Sequence, residues 1–209
     1  MDPGAEGVRP MNRTIGMAGS LTALCAAAVF AASMPVGALW VSYGSSMFIA
    51  FGFVLMMSAF AADAPPERKA AGYGALGFAC AYATVILVVY FTQLTAVRFG
   101  GLTEQAAGLL DFQRFGLFFS YDLLGYALMA LSTFFAGLTI TCRTGADRWL
   151  RALLMIHGVF FVSCLVMPVL GVFRADGPAW VGVAVLEFWC VYFCPICVLS
   201  LLRFRRSKS

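Results

Sequence analysis

Three ionisable side chains, Asp122, His157 and Glu187, stand inside long apolar stretches of this chain. Such groups are costly in hydrocarbon and mark a pathway, a pocket or a lock between helices. Asp122 lies in Phe118-Phe119-Ser120-Tyr121-Asp122-Leu123-Leu124-Gly125-Tyr126. On a helix, Gly125 and Tyr126 follow at three and four residues and share its face. A carboxylate at the centre of a span costs roughly 2.5–3.5 kcal/mol, and the apolar neighbours are enough to insert the segment regardless. Gln93, with Thr92 and Thr95, ends the preceding stretch at a similar depth. Arg98 and Arg114 stand just above, close enough for a snorkelling arginine to pair with Asp122. Glu187 sits about a turn inside the same interface. Facing one cavity, Asp122 and Glu187 would suit a cation or a proton relay. The candidate ligand-binding set is therefore Asp122, Glu187, Gln93, Tyr126 and His157. No residue is singled out as catalytic.

His157 is the only histidine. Its simplest role is a neutral ring bonded to a carbonyl or hydroxyl; proton transfer and metal binding are the alternatives. Glu187, Cys190, Cys194 and Cys197 follow helical spacing and form one stripe. A hairpin of the last two stretches brings His157 to the level of Cys194. Imidazole and thiolate suit zinc or copper, so His157, Cys190, Cys194 and Cys197 are the candidate metal ligands. Cys194-Pro195-Ile196-Cys197 also has redox-motif spacing. Against both, buried cysteine behaves as a small hydrophobe and its reactivity is blunted. Pro195 is then a helix kink. The seven cysteines suggest no disulfide framework. No phosphate loop, metalloprotease His-Glu pair or Gly-x-Ser-x-Gly elbow is present. No cofactor is expected, and an enzyme is the lesser reading.

The elements that carry these groups follow from composition. Hydrophobic residues make up 62% and charged residues 11%, and the mean hydropathy is +0.89. That excludes an ordinary soluble domain. A bilayer-spanning helix needs about 20 mostly apolar residues. The rule gives six spans, at about 15–32, 39–62, 73–97, 115–141, 150–172 and 180–202. The first is short and Ala-rich. With the N-terminus cytoplasmic, the inside segments hold Arg9, Arg13, Arg68, Lys69, Arg143, Arg148, Arg151, Arg203, Arg205, Arg206 and Lys208. Only Arg98, Arg114 and Arg174 fall outside. This positive-inside bias requires both termini inside. The expected architecture is an all-α polytopic bundle, N-in/C-in, with one domain over 13–204. A disordered tail (1–12) precedes it and a basic tail (205–209) follows. A cleaved signal peptide is disfavoured because Ser33-Met34-Pro35-Val36 lacks a small-x-small site.

Within this frame, Pro65 and Pro66 break the chain into a short inner turn, and 141–148 makes a second. Trp40, Trp149 and Trp180 fall near span ends, where amphipathic rings favour the interface. The longest loop, 98–114, is outside. Thr103 can cap a short amphipathic helix there, lying on lipid or serving as a lid. Gly72, Gly74, Gly77 and Ala81, with Gly125 and Gly137, offer close-packing faces. No internal repeat is evident.

The stretches Val89-Tyr90-Phe91-Thr92-Gln93-Leu94-Thr95, 118–126 and Leu154-Met155-Ile156-His157-Gly158 resemble those of small bacterial six-span membrane proteins with no assigned activity. The resemblance covers most of the chain and implies a bacterial cytoplasmic-membrane location. It transfers no functional residue. The residues themselves point to binding or transport of a small molecule, ion or lipid through an outer-half pocket. The alternatives are a structural or assembly subunit and a membrane-embedded metal or thiol-redox enzyme. The partners this chain suits are membrane lipids, a small ligand, another membrane protein or a second copy. Nucleic acid is not among them, because there is no basic soluble domain.

Overall fold

The computed structural model describes residues 4–172 and 179–206. Arg174 and Lys208 lie outside the described residues, as do the side chains of Arg9 and Trp180. Eight helices follow in chain order: α1 (Gly4–Ser33), α2 (Leu39–Asp63), α3 (Lys69–Thr92), α4 (Glu104–Leu110), α5 (Leu117–Thr139), α6 (Gly145–His157), α7 (Val159–Val169) and α8 (Ala179–Arg206). Six segments are long and apolar enough to cross a membrane: Met11–Ser33, Leu39–Asp63, Pro66–Val97, Leu117–Thr139, Gly145–Val169 and Val183–Arg206. The protein is thus an all-α, six-span bundle of membrane-protein type. The helical backbone satisfies its own N–H and C=O groups, which hydrocarbon cannot do. Hydroxyls inside the spans follow suit: Ser20, Ser46 and Thr84 donate to the carbonyls of Gly16, Ser42 and Cys80, four residues back.

The spans close into a ring. α1 packs on α2, α2 on α3, α3 on α5, α5 on α6 and α7, α6 on α8, and α8 on α1. Large side chains fill the centre. Phe53 meets Tyr82 at 5.4 Å between ring centroids and Phe193 at 6.2 Å, and all three are fully buried. The first half of α1 and the end of α8 lie on one face, where the Arg13 guanidinium donates to the Arg205 carbonyl at 2.8 Å. The opposite face carries the loop 98–116.

Basic side chains finish the helices on the terminal face. Lys69 Nζ donates to the carbonyls of Ala61 (3.0 Å) and Ala62 (2.7 Å) at the end of α2. Arg68 Nη1 reaches the carbonyls of Leu138 (3.3 Å) and Ile140 (3.2 Å) at the end of α5. These are last-turn carbonyls with no partner within the helix. Thr144 and Asp147 form a capping box at the start of α6, and Asp147 also pairs with Arg203 of α8 at 2.8 Å.

The helices add detail to the expected spans. α1 begins at Gly4, ahead of its membrane-spanning part, and each residue added to an existing helix gains a hydrogen bond. The fifth span is two helices meeting at Gly158. α8 is one helix with Pro195 inside it. The close-packing faces expected at Gly72, Gly125 and Gly137 are found: a Cβ there would lie 3.0 Å from Ala61 Cα, 2.9 Å from Ile86 Cδ1 and 2.8 Å from Met155 Cγ. α1 and α2 approach closer still, where a Cβ on Gly19 would lie 2.6 Å from Met56 N, and one on Gly52 would lie 2.6 Å from Ala23 N. Gly77, by contrast, has nothing within 4 Å.

Candidate functional site

Asp122 and Tyr126 lie one turn apart on α5 and face the same way. Tyr82, Ile86 and Tyr90 line the opposing face of α3 at four-residue spacing, and all are buried. Asp122 is five residues into α5, about 8 Å along its axis at 1.5 Å per residue. The Tyr90 hydroxyl addresses the Asp122 carboxyl, with Ser46 of α2 as its other polar neighbour. The Tyr82 and Tyr126 rings stand 6.0 Å apart, and Tyr126 meets Trp189 edge-on at 5.2 Å. Three atoms of this cluster are buried with no protein partner: Asp122 Oδ1, Tyr82 Oη and Tyr126 Oη. Leaving a buried polar group unpaired costs about 1–3 kcal/mol. Such groups find their partner in an ordered water or a bound group.

The loop covers this cluster. Gln93 begins a π-type turn at the end of α3. Its Nε2 donates to the Leu110 carbonyl at 2.8 Å, and its Oε1 accepts from the Phe112 N–H at 3.0 Å. So held, the Phe112 ring stands between Tyr43 (6.2 Å), Tyr90 (6.0 Å) and Phe119 (5.2 Å). Gln113 Nε2 adds a bond to the Tyr43 hydroxyl at 3.2 Å. α4 starts at Thr103, whose hydroxyl accepts from Ala106 N, as its spacing predicts. Arg114 pairs with Glu104 and Asp111, and it holds the Glu104 carboxyl below the usual carboxylate range. Phe115 adopts a left-handed backbone, φ 55°. Gly116 follows directly against the Gly108 carbonyl, where any Cβ would collide. The loop is therefore a folded cap over Tyr90 and Asp122.

Both ends of the Gln93 amide thus hold the cap. Gln93→Leu should free the Leu110 carbonyl and the Phe112 N–H together. Amide exchange over 104–116 should then rise at least tenfold while the spans stay protected, the effect of about 1–3 kcal/mol of lost pairing. Unchanged exchange would mean that Gln93 does not hold the cap.

The other sequence-derived candidates divide. Arg98 stacks over Trp40 at 4.9 Å and Arg114 serves the loop, so neither pairs with Asp122. The titratable groups within electrostatic reach of Asp122 are Tyr43, Tyr82, Tyr90, Tyr126 and Cys164. Glu187 is not among them. It is half-buried on α8, has an unpaired Oε1, and its recorded titratable neighbour is Cys190.

His157 is fully enclosed. Trp189 Nε1 lies 3.2 Å from His157 Nε2, and Thr133 Oγ1 lies 2.8 Å from His157 Nδ1. An indole N–H can only donate. Nε2 is thus the acceptor and Nδ1 carries the proton, donating to Thr133, whose hydroxyl passes its own to the Ala130 carbonyl at 2.8 Å. Both ring nitrogens are used, and the chain of bonds joins α8, α6 and α5. The cysteine stripe does not meet His157, whose ring neighbours are Phe160, Tyr192 and Phe193. Cys190 and Cys197 are buried in the apolar core, and all seven thiols are free. Among the described residues no three His, Cys, Asp or Glu side chains are placed to hold a metal ion.

Tyr82, Tyr90, Thr133 and Trp189 were not singled out from the sequence. The four-residue spacing of Tyr82 and Tyr90 was the available signal: two hydroxyl-bearing rings on one face of an apolar helix need polar partners.

No protein-family model, curated protein or solved structure matches this chain.

Proposed function

We propose that this membrane protein binds, and passes across the bilayer, a small cation or protonated amine at the buried cluster of Asp122, Tyr82, Tyr90 and Tyr126. The observation that carries this reading is the trio of unpaired buried oxygens, Asp122 Oδ1, Tyr82 Oη and Tyr126 Oη. One carboxylate with two neutral hydroxyls suits a single positive charge. Aromatic walls favour the same charge through their ring faces. The loop cap at one mouth would exclude water, which strengthens the carboxylate's hold. Glu187, Gln93 and His157 take no part in this version of the site.

Thermal unfolding in nanodiscs tests it. At constant ionic strength, Na+, K+ and small alkylammonium ions are added in turn. A true ligand at about a hundred times its Kd should raise the wild-type Tm by about 5–10 °C. Asp122→Asn should abolish that shift. A wild type indifferent to every cation, with Asp122→Asn more stable than wild type, would overturn the proposal. That pattern marks a buried carboxyl whose only effect is its desolvation cost.

A structural or assembly role is the second reading. The His157 chain and the Gln93 staple favour it, because both are complete locks with no vacant donor or acceptor.

A further inference from the structure

A second feature lies on the outside of the ring, away from the Asp122 cluster. α1 and α2 touch backbone to backbone at Gly19 and Gly52, and at the loop face the hydroxyls of Ser33 and Ser42 join them at 2.7 Å. Between them is a groove of about 620 Å³. Small residues make its floor: Thr22, Cys25, Ala26 and Gly44. A Cβ on Gly44 would meet nothing within 4 Å. The groove's serine, Ser45, turns its hydroxyl back to the Val41 carbonyl at 2.7 Å, so the wall stays apolar. Trp40 stands at one end and Phe48 at the other, 43% and 59% exposed.

Three properties identify the occupant. First, the groove faces the hydrocarbon, since both helices are membrane-spanning segments. Secondly, its length matches one leaflet. Trp40 to Phe48 covers about 12 Å along α2 at 1.5 Å per residue, against about 15 Å for half of a hydrocarbon core about 30 Å thick. A helix from a second copy would need a groove running the full span. Thirdly, there is charge at the interfacial end. The Arg98 guanidinium lies 4.9 Å from the centre of the Trp40 ring. Among the described residues no carboxylate pairs with it. A cation–π contact leaves the guanidinium edge free to donate, and a phosphate is its natural acceptor.

We propose that this groove is a binding site for an anionic phospholipid. One acyl chain fills the space between α1 and α2, and the headgroup phosphate sits on Arg98. The site is independent of the Asp122 cluster.

The test is native mass spectrometry of the protein released from bilayers holding equal phosphatidylglycerol and phosphatidylethanolamine. The wild type should retain one phosphatidylglycerol in preference to phosphatidylethanolamine. Arg98→Gln should lower that preference about fivefold, the size expected for one cation at a headgroup. Gly44→Phe, which fills open space, should lose retention of both lipids. Cys25→Phe, also on the exposed floor, should do the same and guards against a folding defect in either variant. Circular dichroism and thermal unfolding should match wild type for at least one of them. Retention unchanged in both filling variants would overturn the site. An unchanged lipid preference in Arg98→Gln would overturn the role of the phosphate. A wild-type dimer that Gly44→Phe converts to monomer would replace the lipid with a second copy.

Discussion

Gly52→Val should leave no stable bundle. The new Cβ would lie 2.6 Å from Ala23 N and 2.8 Å from the Gly19 carbonyl, before its two methyl groups are counted. Overpacking an ordinary core costs about 1–3 kcal/mol, because neighbouring side chains turn aside. Here the neighbours are main-chain atoms of α1 and cannot turn. The helices must separate, and the α1–α2 pair is the most extensive in the ring. The loss should exceed that range. Size-exclusion chromatography should show aggregated or poorly extracted protein, and any folded remainder should melt at least 10 °C lower, at about 2–4 °C per kcal/mol for a chain of this size. Gly44→Val on the same helix is the control, since its Cβ meets open space. Equal stability of the two variants would show that the backbone contact is not needed.

His157→Leu should be nearly as damaging by a different route. It removes the acceptor of the Trp189 indole N–H and the donor to Thr133 at a site 1% exposed. A buried indole N–H left unpaired costs about 1–3 kcal/mol, and the poorer fit of leucine adds to it. A total of about 2–4 kcal/mol should lower the Tm by about 4–16 °C. The conservative variants separate the two bonds. Glutamine reaches as far as Nε2 and can still accept from Trp189. Asparagine reaches only to the level of Nδ1 and can still meet Thr133. Glutamine should therefore keep the Trp189 fluorescence of the wild type, whereas leucine and asparagine shift it. In the wild type, nitrogen NMR of the imidazole should show a protonated Nδ1 and a bare Nε2. The opposite tautomer would break the inferred chain of bonds.

How far the sequence reaches is clearest at Asp122. Its depth and the face it shares with Tyr126 were legible, because a four-residue interval fixes both rise and direction on a helix. Gln93 and Glu187 were grouped with it by depth alone. Depth along a span follows from residue counting, but rotation about the helix axis relative to other spans depends on packing. Glu187 lies at a suitable level, and its titratable neighbour is Cys190. Gln93 lies at a suitable level, and the loop claims it. The six spans were legible because hydrocarbon allows a long apolar segment only one backbone form. The α1–α2 contact was not, since the meeting of Gly19 with Gly52 depends on how two separate helices turn toward each other. The His157 bonds were half legible: a bonded neutral ring followed from burial, but its partners come from α5 and α8.

Arg68, Lys69 and Arg203 belong to the basic set that the sequence gathers on one side. Two of them also close the open ends of α2 and α5, and the third ties α6 to α8. The side chains whose charge is expected to orient the chain in the bilayer are therefore the ones that also complete its helices. Moving these charges to turn the protein over would also unravel the last turns they hold. An inverted chain would not be the same bundle upside down, but one with frayed ends at the face it had just presented.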